Sequence, residues 1–464
     1  MSYTKSLAEY AVNLRYEDLP QEVIEQVKML TLHVIGVSLA GCQIKQGREA
    51  IALAKDMGGE KKESSIWGDG TKVSSVQAAF ANGTLADVLD WEDCSWTGHP
   101  SAGAIPSALA VAERAKCSGR DFITSVVAGY EVYQRIAMAV QPTAEMWRKN
   151  GWGLTSWQIF AAAIPAAKLL KLDVTKMAQT IGIAGATSPI INSKISYQRS
   201  DFYHYMYGVA CLNGVTSALI AKSGINALED MLDGDNGYWL AISDRCRWEW
   251  MTKNLGKDYL IMETLIKHWP VNMWVQQYLD LVDEIQKREK IGPDDIAEII
   301  VSPDYQKFEG ASRMVYKPEG YSGATEAQFS IPYCIAVLLL DPKTGPKWFA
   351  EERLRDPNLL DLASKVKATG EKVTPFEGFA KFQKGTYPEA QLEIILKDGR
   401  HFSERQPFPK GHPKNRLTMD ELKDLFRVAA SYTLKPDRIE KAIEGITNIE
   451  KYSDMSEVAE LTHN

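Results

Sequence analysis

Apolar residues recur at three- and four-residue steps over most of the first 265 positions, the spacing of helices that bury one face. EVIEQVKMLTLHVIGVSLAG (22–41) shows the period clearly and stops at Gly41, a helix stop signal. VQAAFANGTLADVLD (76–90), GRDFITSVVAGYEVYQRIAMAV (119–140) and TSWQIFAAAIPAAKLLKL (155–172) repeat it, with enough alanine for close helix packing. GVTSALIAKSG (214–224) predicts another alanine-rich helix ending in glycine. Near residue 290 the pattern changes. DIAEIIVSPD (295–304) predicts a short strand and TEAQFSIPYCIAVLLLD (325–341) a helix. EAQLEIILKDGRHFSERQP (389–407) alternates apolar and polar around Asp398-Gly399, which predicts a hairpin. Thr418 and Glu421 form a capping-box pattern that opens a helix, and 416–460 is helical again. An α+β segment therefore interrupts an otherwise helical chain.

The 464 residues are enough for about two or three domains. A 45% hydrophobic and 24% charged composition supports a large core. The net charge of −7 leaves no basic stripe for nucleic acid. The first residues lack the layout of a signal peptide, and no uninterrupted run of about 18 apolar residues predicts a membrane span. The six cysteines are scattered without a CxxC pair, the usage of reduced thiols in a cytoplasmic protein.

Chemistry concentrates in DWEDCSWTGHP (90–100), which is followed by a small-residue helix. His99 titrates near neutrality and can give or take a proton, and it precedes a helix entry whose N–H groups favour an anion. Asp90 and Asp93 can orient His99 or meet a hydroxyl; equally, they can cap backbone groups. Asp90, Glu92, Asp93 and His99 are ligand types, but their spacing fits neither an EF-hand loop nor a helical histidine pair, so no metal is expected. No GxSxG elbow, P-loop or dinucleotide fingerprint occurs in a strand–turn–helix setting.

LDWEDCSWTGHPSAGAIPSALAVAE resembles the signature of the MmgE/PrpD family, roughly D-x-D-D-T, a few residues, then H-P-S and a small-residue helix. The likeness continues in GWGLTSWQIFAAAIPAAKLLKLD, IGIAGATSPI, AKSGINALEDMLDGDNGYW, KHWPVN and TEAQFSIPYCIAVLLL, in the family's order. The resemblance implies a mainly α fold: a discontinuous all-α domain (1–266 and 406–464) around an inserted α+β lid domain (267–405), in a homodimer. It implies a lyase or isomerase without a cofactor, acting by proton transfer at the carbon α to a carboxylate of a small di- or tricarboxylate. Dehydration, decarboxylation and epimerisation all remain open. A catalytically silent binding or scaffold protein and a metal-assisted hydrolase are the alternatives.

By the same resemblance His99 is the acid–base group and Lys267 the substrate-side lysine, with His268 beside it; Tyr316 and Tyr321 lie where the family has a tyrosine near the substrate. Cys94 replaces the usual threonine, so Ser95 or Thr97 would supply the hydroxyl. Two departures stand out. Gly153 occupies the place of a family histidine, and Tyr203 that of a basic residue for which Lys194, Arg199 or His204 would substitute. Fewer cations and many aromatics (Trp91, Trp96, Trp152, Trp157, Phe202, Tyr203, Tyr205, Tyr207) suggest a less anionic or bulkier substrate.

Overall fold

Serine and aspartate caps start several of the helices that build the body. In the computed structural model, which describes residues 2–143, 145–146, 154–188, 200–305, 313–374, 377–378, 380–381 and 384–464, Ser74 caps Ser75–Asp87 and Ser118 with Asp121 forms a capping box on Gly119–Val140. Gln21–Gly41, Ser101–Ala115 and Gln158–Leu169 complete the centre of the first hydrophobic core. Gln21–Gly41 is long and apolar enough to cross a membrane, yet 89% of its most apolar window is buried against neighbouring helices, as in a core helix.

The helix expected at 214–224 runs over Phe202–Lys222 instead. Its aromatic first half carries apolar residues on every face, so no clean period marks its start. It lies against Ser75–Asp87 at Gly208, where a Cβ would come within 2.0 Å of Thr84 Oγ1. Only a glycine permits that approach, and the approach carries His204 onto Asp87.

The α+β segment builds a second core. Its four-stranded sheet has the order Val366–Ala368, Ile296–Ser302, Ala390–Leu396, His401–Gln406; the first pair is parallel and the others antiparallel. The hairpin turns at Gly399 as expected, with φ 89°. Gln276–Glu289 and Ile331–Leu340 belong to this core. The helix expected over 325–341 is broken into Ala324–Gln328 and Ile331–Leu340, because Ser330 caps a new start with Pro332 in its first turn. The break leaves Gln328 at a helix end facing the helical body.

Thr418 and Glu421 form the expected box on Met419–Ala430, and this helix packs on Gln21–Gly41. Phe426 lies over Gly36, where a Cβ would meet the ring at 2.8 Å. The chain thus returns to the helical body after the sheet.

One short ladder joins distant parts of the sequence at the chemically dense stretch. Asp93–Cys94 pairs antiparallel with Leu265–Ile266, in the register Asp93 with Ile266 and Cys94 with Leu265. Ile266 N–H donates to Gly411 O at 3.1 Å; Gly411 has φ 89°, and a Cβ there would lie 1.8 Å from Ile266 O. Gly411→Ala is expected to cost more than the roughly 1–2 kcal/mol of a left-handed residue, because the clash adds to it. A thermal melt checks this; an unchanged midpoint would contradict the tight seat assigned to Gly411.

Candidate active site

The bend at Asp90-Trp91-Glu92 that leads into the Asp93–Cys94 strand brings Asp90 and Glu92 to the same cation, Lys267, which follows the Leu265–Ile266 strand. The Lys267 ammonium donates to Asp90 O at 3.0 Å, to Asp90 Oδ1 and to Glu92 Oε1 at 2.7 Å. Its three protons are thereby committed. Lys267 and Glu92 are wholly buried and Asp90 nearly so. Asp90 reaches this pose with φ 48°, a conformation uncommon for a residue with a side chain. Trp91 is on the core side, its indole N–H donating to His268 O at 3.0 Å.

Glu92 also holds His99. Nδ1 of His99 contacts Glu92 Oε1 and, at 3.0 Å, Asp93 O. Both partners are acceptors, so Nδ1 carries a proton and Nε2 is left for chemistry. Gln158 fixes the backbone by donating to His99 O at 2.8 Å, and Tyr207 meets the imidazole edge-on at 5.4 Å between ring centres.

Burial opposes charge on every member of this chain, and the pairing decides the outcome. Burial alone would raise Glu92, but Lys267 and His99 bring it down to about 2. Burial alone would lower Lys267, but Asp90 and Glu92 lift it well above the ordinary lysine value. Burial likewise pulls His99 down, and Glu92 more than reverses it, so His99 titrates above the ordinary 6.5. The geometry thus sets an imidazole, a carboxylate, an ammonium and a second carboxyl group in a row.

A second pair lies beside it. His204, in the first turn of Phe202–Lys222, meets Asp87 Oδ2 through Nδ1 at 2.6 Å and Gln328 Oε1 through Nε2 at 3.1 Å. Gln328 spends its NH₂ group on Val88 O at 2.9 Å, so its oxygen must accept and His204 Nε2 carries a proton. Asp87, Glu92 and His99 bring one ligand-type atom each within 4.8 Å of one another. These three would be the groups to hold a cation, but the same Glu92 oxygen already serves Lys267 and His99.

Several sequence-based assignments change. Asp90 and Asp93 were the expected orienters of His99; the carboxylate on its ring is that of Glu92. Asp93 points the other way, accepting Ser101 N–H at 2.9 Å and Tyr130 O–H at 2.7 Å, so it is the anion at the helix entry. Burial raises its carboxyl to about 6 even with those hydrogen bonds. Lys267 is saturated by Asp90 and Glu92 and is not a free carboxylate clamp. Ser95 and Thr97 are buried and bond to each other at 2.6 Å within a turn closed by Gly98, so their hydroxyls build the loop. His268 pairs with Asp280 at 3.3 Å. Tyr316 is exposed. Tyr321 is buried and donates to Val315 O at 2.8 Å, bracing its own loop. Tyr203 does reach the cluster, edge-on to His204, Tyr207 and Phe329. Gly153, Lys194 and Arg199 lie outside the described residues.

Glu92, Asp87 and Gln328 went unassigned. Nothing local in the sequence marks the three for these roles.

The family model for the MmgE/PrpD N-terminal domain matches residues 5–251, and that for the C-terminal domain matches 269–451. The chain belongs to the MmgE/PrpD family. Within that family it is 24% identical to cis-aconitate decarboxylase of Homo sapiens, over 98% of this chain and 93% of the relative. It is 24% identical to the Mus musculus cis-aconitate decarboxylase over 99% and 93%, and 22% identical to that of Aspergillus terreus over 99% and 95%. The two matches take in His99 and both cores; Leu265–Ile266 and Lys267 fall in the gap between them.

Lys267→Met leaves the buried Asp90 carboxyl without its cation and Glu92 with His99 alone, and it is expected to cost about 3–5 kcal/mol at neutral pH. Those carboxyls would then be raised in the folded state, so the loss shrinks as pH falls and they bury protonated. Adding Asp90→Asn and Glu92→Gln should recover much of the stability. Denaturant unfolding of the single and triple variants checks this; equal stability of wild type and single variant would contradict it.

Proposed function

We propose that this chain is a lyase of the decarboxylase type, in which His99 acts as a proton donor to the carbon α to a carboxylate of a small carboxylate substrate. The reading rests above all on one observation: a buried imidazole held through Nδ1 by a carboxylate that is itself held by an ammonium. Such a chain favours the charged imidazole and leaves Nε2–H as the acid. The cis-aconitate decarboxylases among its relatives fit a donor role. Loss of CO₂ breaks a carbon–carbon bond and leaves the electron pair on carbon. His99 Nε2–H then forms the new C–H bond, and the neutral ring is reprotonated from solvent. Proton delivery by a placed acid contributes roughly 10²–10⁴-fold. The sheet-bearing segment, about 267–405, serves as the cover that excludes water.

The substrate is less anionic or bulkier than cis-aconitate. Lys267 is spent on Asp90 and Glu92, and the rings of Tyr203, Tyr207 and Phe329 follow one another beside His99. Unpaired carboxylates would be costly against such a surface.

Turnover of a panel of mono-, di- and tricarboxylates in D₂O is expected to release CO₂ and place one deuterium on the product carbon. His99→Gln should lower kcat by at least about 10²-fold with the fold retained. Activity should fall on the alkaline side as the imidazolium is lost, with a limb above 6.5. Full activity of His99→Gln would end the assignment, and ordinary rates on cis-aconitate would end the altered-substrate reading.

A further inference from the structure

The Asp87–His204 pair is unused by the donor role of His99, although it is nearly as buried as Glu92 and lies in the same cluster. Counting charge shows what it can do. With His99 protonated, the cations of His99 and Lys267 balance the anions of Asp90 and Glu92. When His99 gives its proton away, these four groups carry one net negative charge in a buried place. A further full charge on Asp87 would then be expensive. With His99 protonated the cost reverses, since an Asp87 carboxylate within 4.8 Å of an imidazolium is attractive.

We propose that the proton shared by Asp87 and His204 moves in step with the state of His99, so that the dipole of this neutral pair follows the charge on the catalytic imidazole. In one state Asp87 is a carboxylic acid donating to His204 Nδ1. In the other, the Asp87 O–H bond breaks, an N–H bond forms at Nδ1, and an Asp87 carboxylate faces both imidazoliums. Nothing enters or leaves the pair. Gln328 makes both states possible: its oxygen accepts from His204 Nε2 throughout, so the doubly protonated ring is satisfied at both ends.

On balance Asp87 stands well above the ordinary carboxyl value and His204 below the ordinary imidazole value, the directions of a neutral pair. Burial and Glu92 push Asp87 up, while the charge of His99 pulls it down; Asp90 and Lys267 add opposed contributions. Burial pushes His204 down, and Asp90, Glu92, Asp201 and Gln328 oppose that. His99 itself faces Glu92, Lys267 and Asp87, with the Tyr207 ring on its edge. Asp87 and His204 are thus positioning residues, acting through His99 without touching the reacting carbon.

The proposal builds on the donor role of His99, but its test reads protonation and not turnover. The chain has seven histidines, so ¹⁵N-histidine NMR of the whole protein is assignable by single substitutions. His204 Nδ1 should lose its proton signal as His99 is titrated to neutrality. In Asp87→Asn and in His204→Gln the midpoint of His99 should fall by about one unit or more, a tenfold or greater loss of proton affinity. If Asp87→Asn fails to fold, His204→Gln and the wild-type His204 signal still decide. A His204 signal that ignores the His99 titration, or a His99 midpoint unmoved in either folded variant, overturns the proposal. Activity retained by His99→Gln would instead remove the donor role and leave the coupling standing.

Discussion

An ammonium buried between two carboxylates is costly to make and more costly to break, because any member left alone is an unpaired charge in the interior. Lys267, Asp90 and Glu92 form such a unit from segments 175 and 177 residues apart. Their pairing demands the Asp93–Cys94 ladder, the left-handed turn at Asp90 and the close passage of Gly411. It also sets the electrostatics, since Lys267 with His99 keeps Glu92 ionised, and Glu92 in turn raises the proton affinity of His99.

Read this way, the role of Lys267 is indirect. A lysine beside a substrate site invites the role of a carboxylate clamp, yet all three of its protons are spoken for within the protein. Its charge reaches His99 through Glu92, as the raised proton affinity of the imidazole. Similarity to the cis-aconitate decarboxylases covers nearly the whole chain, and aromatic rings and the Asp87–His204 pair surround His99 in this site.

Much of the fold was legible wherever a period was clean. The helices at 21–41 and 119–140 and the hairpin at 390–406 follow the pattern closely, because each buries one face. Phe202–Lys222 began twelve residues early and 325–341 broke in two, since aromatic residues on all faces blur the first and a serine cap splits the second. In the site, His99 and the acidic stretch were visible, but which carboxylate meets which cation was not. Asp90 and Asp93 are the orienters the sequence suggests, yet Glu92 holds the ring and Asp93 faces Ser101 and Tyr130. Asp87 with His204 and Gln328 joins three helices, and no local pattern encodes such a meeting.

The dependence of His99 on Glu92 is the point on which all of this turns. Glu92→Gln keeps the shape and removes the charge. A ¹⁵N-histidine NMR titration should find the His99 midpoint above the ordinary imidazole value in the wild type and lower in the variant. A midpoint unmoved by glutamine at position 92 would contradict the account.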